Sequence, residues 1–139
     1  MGVEGGLKMI LKSGCAFSPH QEIRVLIVSR LTENDGQTPS PNLIKVAREN
    51  IWIPCLAPRP KTVGAWYRKE INWEQFQHQY EEYLNSPQGQ EAVEYLYQLL
   101  KNHGVIKVLC VEETPEHCHR SLLLRYMKKM YPEIEVQCS

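Results

Sequence analysis

The sequence has no apolar segment that could cross a bilayer, because no run approaches the roughly 18–20 consecutive apolar residues that a membrane helix requires. It has no excess of either charge, since 16 Lys and Arg residues balance 16 Asp and Glu residues. A long-range attraction to nucleic acid or to an anionic membrane is therefore excluded, and any such binding must be local. We expect a soluble protein with no membrane partner.

The cysteines lack the dense, even spacing of a disulfide framework. They number five: Cys15, Cys55, Cys110, Cys118 and Cys138. No secretory signal is recognisable either, since residues 1–6 are rich in glycine and the stretch 7–11 is short and interrupted by a lysine. We therefore expect a reducing cytoplasm, a disordered segment 1–6, and buried structural roles for Cys15, Cys55 and Cys138.

The chain also lacks internal repeats and any linker long enough to separate domains. Its 139 residues, 42% of them hydrophobic, suffice for one domain with a core of its own. Apolar runs of strand length alternate with helical patterns, which is typical of parallel sheets with helical crossovers. The sequence thus predicts a single-domain α/β three-layer sandwich, with a mainly parallel sheet of about four or five strands flanked by helices.

Local signals place the individual elements. Strands are predicted at 7–12, 23–31, 51–53, 105–111 and 133–137, the first of them at an edge of the sheet. Helices are predicted at 41–49, 72–84, 87–103 and 115–130, with N-caps at Ser40, Asn72, Ser86 and Thr114 and a C-cap at Gly104. The proline-rich segment 56–60 is predicted to be extended and not helical.

The residues with chemical potential gather where strand 105–111 gives way to the following helix. Six of them are candidates: Cys110 and Glu112 after the strand, Cys118, His119 and Arg120 at the helix start, and Arg30 at the end of strand 23–31. In parallel α/β sheets, ligands bind at the carboxyl ends of the strands, where helix N-termini also point. We therefore expect these side chains to meet at one edge of the sheet.

The start of this helix favours an anion, because its free backbone N–H groups and the positive end of its dipole face the ligand. Arg120 adds a planar guanidinium suited to phosphate or carboxylate. Cys118, beside His119 and the helix dipole, is a candidate thiol of lowered pKa. We interpret Arg120 and Arg30 as anion-binding groups, Cys118 or Cys110 as a nucleophile, and His119 or Glu112 as its acid/base partner.

The same residues resemble a known protein family. The segment LCVEETPEHCHRSLL is similar to the signature of domain-of-unknown-function family 488, in which a strand ends in Cys-x-Glu and the next helix opens with Cys-His-Arg. The segments VLIVSRL, LAPRPKTVGAWY and INWEQFQHQY extend the resemblance over about residues 23–130. The chain departs from one branch of the family at Ser29 and in the loop 32–40. The resemblance implies where the site lies, and no established reaction comes with it.

Three functional hypotheses remain open, and whether the protein is an enzyme remains open with them. In the leading one, a site without a cofactor binds or acts on an anionic small molecule, such as a nucleotide, or a nucleic acid end. In the second, Cys110, Cys118 and His119 bind zinc, with Glu112 or His117, or the two cysteines form a disulfide switch.

The third hypothesis is a non-catalytic interaction module. In that case Cys110 is a small core residue, His119 is hydrogen-bonded to a strand carbonyl, and Arg120 pairs with Glu112 or Glu113.

Overall fold

One parallel sheet organises the molecule. The computed structural model describes residues 9–15, 23–28, 30–32, 37–110 and 119–137. The strands within them are β1 (Ile10–Cys15), β2 (Ile23–Leu26), β3 (Ile51–Trp52), β4 (Val105–Cys110) and β5 (Glu135–Gln137). They are hydrogen-bonded in the order β3-β2-β4-β1-β5, and every neighbouring pair runs parallel. β4 is therefore the central strand.

The helices begin and end largely where local signals predict. They are α1 (Pro41–Glu49), α2 (Pro60–Tyr67), α3 (Trp73–Leu84), α4 (Pro87–His103) and α5 (His119–Met130), with a short 3-10 helix at Pro54–Leu56. At the start of α3, Asn72 and Gln75 exchange side-chain and backbone hydrogen bonds of 2.8 Å each. Gly104 ends α4 with a φ of 83°, a backbone conformation that glycine adopts without steric cost.

The helices form layers on the two faces of the sheet. α2 and α4 both contact α3, and α3 also contacts α5. The connections β3 to β4 and β4 to β5 run in the same direction across the sheet, so right-handed crossovers place α2–α5 on one face. The connection from β2 to β3 runs the opposite way and places α1 on the other face. The predicted single-domain α/β sandwich with a parallel sheet is confirmed.

The two faces of the sheet differ in polarity. On one face the strand residues are fully buried: Leu11, Ser13, Val25, Ile106 and Val108. On the opposite face, Lys12 and Lys107 lie side by side in register and are partly exposed, whereas Leu26 and Leu109 are fully buried. The face without exposed lysines is therefore assigned to the long helices α3–α5. None of the helices in the described part of the chain is long and apolar enough to span a membrane.

The prediction of an edge strand at 7–12 is wrong both in its residue bounds and in its location within the sheet. β1 extends to Cys15 and pairs with β4 on one side and β5 on the other, so it is an interior strand. Its second half contains Ser13 and Gly14, which are buried although neither residue type carries an apolar signal. These small residues are buried against neighbouring strands, so β1 continues toward its carboxyl end. The local sequence pattern does not indicate this burial.

Two further boundaries and one predicted core residue differ from the prediction. Strand 23–31 ends at Leu26. The segment after the 3-10 helix is extended only to Arg59, because Pro60 then opens α2 at its first position, where the missing N–H costs nothing. Met130, predicted to face the core, is 41% exposed at the end of α5. The proposed helix start at 114–118 lies outside the described residues.

Candidate functional site

The topology creates a crevice beside Cys110, the last residue of β4. β4 lies between β2 and β1. After β2 the chain moves toward β3, and after β4 it moves in the opposite direction, over β1 to β5. The carboxyl ends of two neighbouring strands whose connections diverge in this way form the usual ligand crevice of an α/β sheet. The gap between the ends of β2 and β4 is therefore the candidate site.

The β2 side of the crevice is held to the sheet beyond the strand itself. The backbone N–H of Ile27 donates to the carbonyl of Leu109 at 3.0 Å. The indole Nε1 of Trp52 donates to the carbonyl of Val28 at 2.7 Å. Arg30 follows two residues later and is exposed. Arg30 thus lies at the same edge of the sheet as Cys110.

The other side of the crevice is the start of α5. His119 and Arg120 are its first two residues, and Leu122, Leu123 and Leu124 in its next turn are at most 8% exposed. Because α5 crosses back over a parallel sheet, it begins at the carboxyl edge and ends at the amino edge. The structure describes the backbone of Cys110, His119 and Arg120, and Glu112 and Cys118 lie outside the described residues.

The described backbone of Cys110, His119 and Arg30 therefore lies at one edge of the sheet. The roles assigned to Cys110, Glu112, Cys118, His119, Arg120 and Arg30 stay predictions.

The described part of α5 opens with His119 and Arg120, and no acidic residue lies in this described turn. The residues just before it include Glu112, Glu113 and Glu116, which lie outside the described residues.

The position of α5 is fixed by a buried tyrosine. The Tyr126 hydroxyl donates to Oδ1 of Asn85 at 2.6 Å and accepts a hydrogen bond from Nε2 of Gln90 at 2.7 Å. These two partners lie on either side of the junction between α3 and α4. Burial raises the pKa of Tyr126, while the hydrogen bond from Gln90 acts in the opposite direction. The neutral Tyr126 hydroxyl thus links α5 by hydrogen bonds to α4 and to the end of α3.

A groove of about 240 Å³ lies between α3 and α5, beyond the first turn of α5. Both signs of charge line it, since Arg125 and Lys129 face the groove together with Glu81. Lys129 forms an exposed ion pair with Glu81 at 3.5 Å. This mixed charge distinguishes the groove from the described start of α5, which opens with His119 and Arg120. Arg125 is therefore a suitable comparison for Arg120 on the same helix.

The structure places Cys15, which the sequence prediction assigned to the core, next to Cys110. Cys15 ends β1, and its register partner in β4 is Cys110. The two strands read ILKSGC and VIKVLC, with lysine third and cysteine sixth in each. This shared spacing agrees with the observed register, and the strand order makes the two strands neighbours. Cys55, by contrast, lies in the 3-10 helix after β3 and is half-buried.

A metal site has no complete ligand set among the residues whose side chains the structure describes, because no group of three His, Cys, Asp or Glu residues gathers there. The predicted zinc ligands Cys110, Cys118 and His119 are not among those residues. The zinc hypothesis therefore stays a prediction.

One family model matches most of the chain. It is DUF488-N3a, described as the active DUF488-N3 subclade, and it matches residues 18–131. No curated protein and no solved structure matched the chain. The matched range contains β2, β4 and α5 entirely, and hence both sides of the crevice. The chain therefore belongs to the DUF488 family, whose function is uncharacterised.

Proposed function

We propose that the protein binds, or acts on, a phosphorylated or otherwise anionic molecule, such as a nucleotide or a nucleic acid end, at the carboxyl edge of its sheet. The single observation that carries the proposal is the junction of β4 and α5. The central strand ends at Cys110 beside a divergence of chain connections, and the described part of the next helix opens with His119 and Arg120.

In the proposed site, Arg120 and the N–H groups at the start of α5 hold the anion, and Arg30 approaches it from the β2 side. Cys118 or Cys110 acts as the nucleophile, and His119 or Glu112 transfers the proton. The matching family model is described as active, which favours a working site over a purely structural motif. Reduced thiols require a reducing compartment, and we propose the cytoplasm.

Anion binding is tested by titrating the reduced protein with inorganic phosphate and with a nucleoside monophosphate. Arg120→Ala removes a charge-assisted contact, so we expect the dissociation constant to rise roughly tenfold or more. Arg125→Ala is the matched control, because it removes an exposed arginine from the same helix outside the crevice. Equal effects of the two substitutions, or a wild-type protein that binds neither probe, would refute the proposal.

The proposed nucleophile is tested by the pH dependence of iodoacetamide labelling, followed residue by residue. Labelling of Cys118 or Cys110 should reach half its maximal rate well below the ordinary thiol pKa of about 8.5. Cys55, half-buried outside the crevice, is the internal reference. If both crevice cysteines titrate as ordinary thiols, the protein binds its anion without nucleophilic chemistry.

Zinc binding by Cys110, Cys118 and His119 is the alternative proposal. Elemental analysis of protein purified without added metal tests it directly. About one equivalent of zinc per chain supports a structural or catalytic metal site, and metal-free protein excludes it.

A further inference from the structure

β1 and β4 form the longest strand pairing in the sheet, and both strands end in cysteine. The pairing covers six positions, from Ile10 opposite Val105 to Cys15 opposite Cys110. Neighbouring strands lie about 4.8 Å apart. A disulfide requires a Cα separation of roughly 4.4–6.8 Å, so the spacing of the two strands is compatible with a disulfide between these positions.

The polarity of the strands prevents this pairing from slipping. Shifting a strand by one residue moves every side chain to the opposite face. A slip of β1 would move Lys12 to the face on which Leu11 and Ser13 are fully buried, and would expose Leu11 in its place. Burying an ammonium group among apolar side chains carries a large desolvation cost. The register that places Cys15 opposite Cys110 is therefore strongly favoured.

Strand register also places the two positions on one face of the sheet. Residues alternate between faces along a strand, so positions 15 and 110 share the face of Leu11, Ser13, Ile106 and Val108.

We propose that Cys15 and Cys110 are an oxidisable thiol pair, in which Cys15 is the resolving cysteine for Cys110. The oxidant is a hydroperoxide. The assignment of Cys110 as the first thiol to react rests on the proposed function of the crevice. The formation of the disulfide rests on strand register alone.

The chemistry balances over two steps. The Cys110 thiolate attacks the outer peroxide oxygen, and the O–O bond breaks. The departing oxygen takes up a proton and becomes water or an alcohol, while Cys110 becomes a sulfenic acid. The Cys15 thiolate then attacks the Cys110 sulfur, the S–O bond breaks, and hydroxide leaves with the proton released by Cys15. The two thiols lose two electrons and the peroxide gains them. An external dithiol restores both thiols by exchange.

The other described thiol is too far away to compete. Cys55 follows β3, which is separated from β4 by β2. Two strand spacings amount to roughly 10 Å, beyond the limit of about 7 Å for a disulfide. Cys55→Ser is therefore the matched control.

The test uses the full chain, reduced, freed of metal with a chelator, and titrated with hydrogen peroxide. Trypsin releases Cys15 in the peptide 13–24, and Cys110 together with Cys118 in the peptide 108–120. A second cleavage after glutamate at 112–116 separates Cys110 from Cys118, so mass spectrometry identifies the linked pair. We expect peptides containing Cys15 and Cys110 to be linked, with the loss of two hydrogens, and to separate on reduction.

The variants then test the role of Cys15. Cys15→Ser and Cys15→Ala should abolish the linked product and let Cys110 proceed to sulfinic acid, whereas Cys55→Ser should leave the link intact. A link between Cys110 and Cys118, or equal sulfinic acid formation with and without Cys15, would overturn the proposal. The peptide map of the unmodified protein decides the question even if a variant fails to fold.

Phosphate binding by the reduced protein separates this proposal from the previous one. A protein that forms the Cys15–Cys110 link but does not bind phosphate retains the thiol pair and loses the proposed anion site. A protein that binds phosphate without forming the link retains the anion site and loses the thiol pair.

Discussion

Replacing Gly89 by alanine should destabilise the protein, although the same change stabilises most helices. Gly89 lies in the first turn of α4, where its N–H is capped by the Ser86 hydroxyl at 3.2 Å. A Cβ atom built on Gly89 would lie 2.2 Å from the Tyr83 carbonyl oxygen and 2.6 Å from the Leu84 Cα atom. Both are backbone atoms of the adjoining helix, so only a shift of α3 against α4 could relieve the overlap.

The sign of the effect follows from two opposing terms. Helix propensity favours alanine over glycine by about 1 kcal/mol. Overpacking against a rigid neighbour costs about 1–3 kcal/mol, and an overlap with backbone at this distance belongs at the upper end. We therefore expect Gly89→Ala to lower the free energy of unfolding by about 1–2 kcal/mol. The shift would also disturb Asn85 and Gln90, which hold Tyr126 of α5.

Urea unfolding, followed by circular dichroism, measures this change. Gly64→Ala in α2 is the matched control, because its Cβ would meet only the flexible end of the Arg68 side chain, at 2.9 Å. That substitution should be neutral or stabilise the protein by up to about 1 kcal/mol. The reasoning is refuted if both substitutions stabilise the protein equally.

Two more predictions concern tyrosines. Tyr126→Phe should lower the free energy of unfolding by about 1–2 kcal/mol in urea, since it leaves Asn85 and Gln90 without their shared partner, and an unchanged midpoint would contradict this. Tyr97 donates to the Glu133 carboxylate at 2.5 Å, and this hydrogen bond is the largest cause that raises the pKa of Tyr97 from 10.0 to about 12. Because the folded pKa lies above the unfolded one, its stabilising contribution is complete below pH 10 and is lost as the pH rises through 12. Glu133→Gln should shift the tyrosinate absorbance titration of Tyr97 downward, and an unshifted titration would exclude the assigned cause.

Much of the secondary structure could be predicted because it depends on neighbours in sequence. The capping box at Asn72 and Gln75 joins residues three apart, and Ser40 caps α1 over the same separation. Gly104 ends α4 through its own backbone conformation. The helix at 60–67 was missed because Pro58 and Pro60 indicated an extended segment, although Pro60 at the first helical position is compatible with a helix.

The location of the crevice could also be anticipated, since the chemistry-bearing residues surround one strand-to-helix turn. A parallel sheet sends the carboxyl ends of all its strands to one edge, so the expectation that Arg30 and Cys110 share that edge required only the fold class. The divergence of connections between β2 and β4, which makes the edge a crevice, depends on strand order and was beyond local reasoning.

By itself, the sequence determined the α/β class, most helix boundaries, an apolar strand that begins at Val105 and the position of the candidate residues along the chain. Only the tertiary structure decided that β1 is an interior strand and that Cys15 stands opposite Cys110. The physical reason is that caps and helical periodicity arise between residues a few positions apart, whereas strand order is chosen by packing between segments far apart in sequence. Here the strand order places side by side two cysteines that are separated by most of the chain.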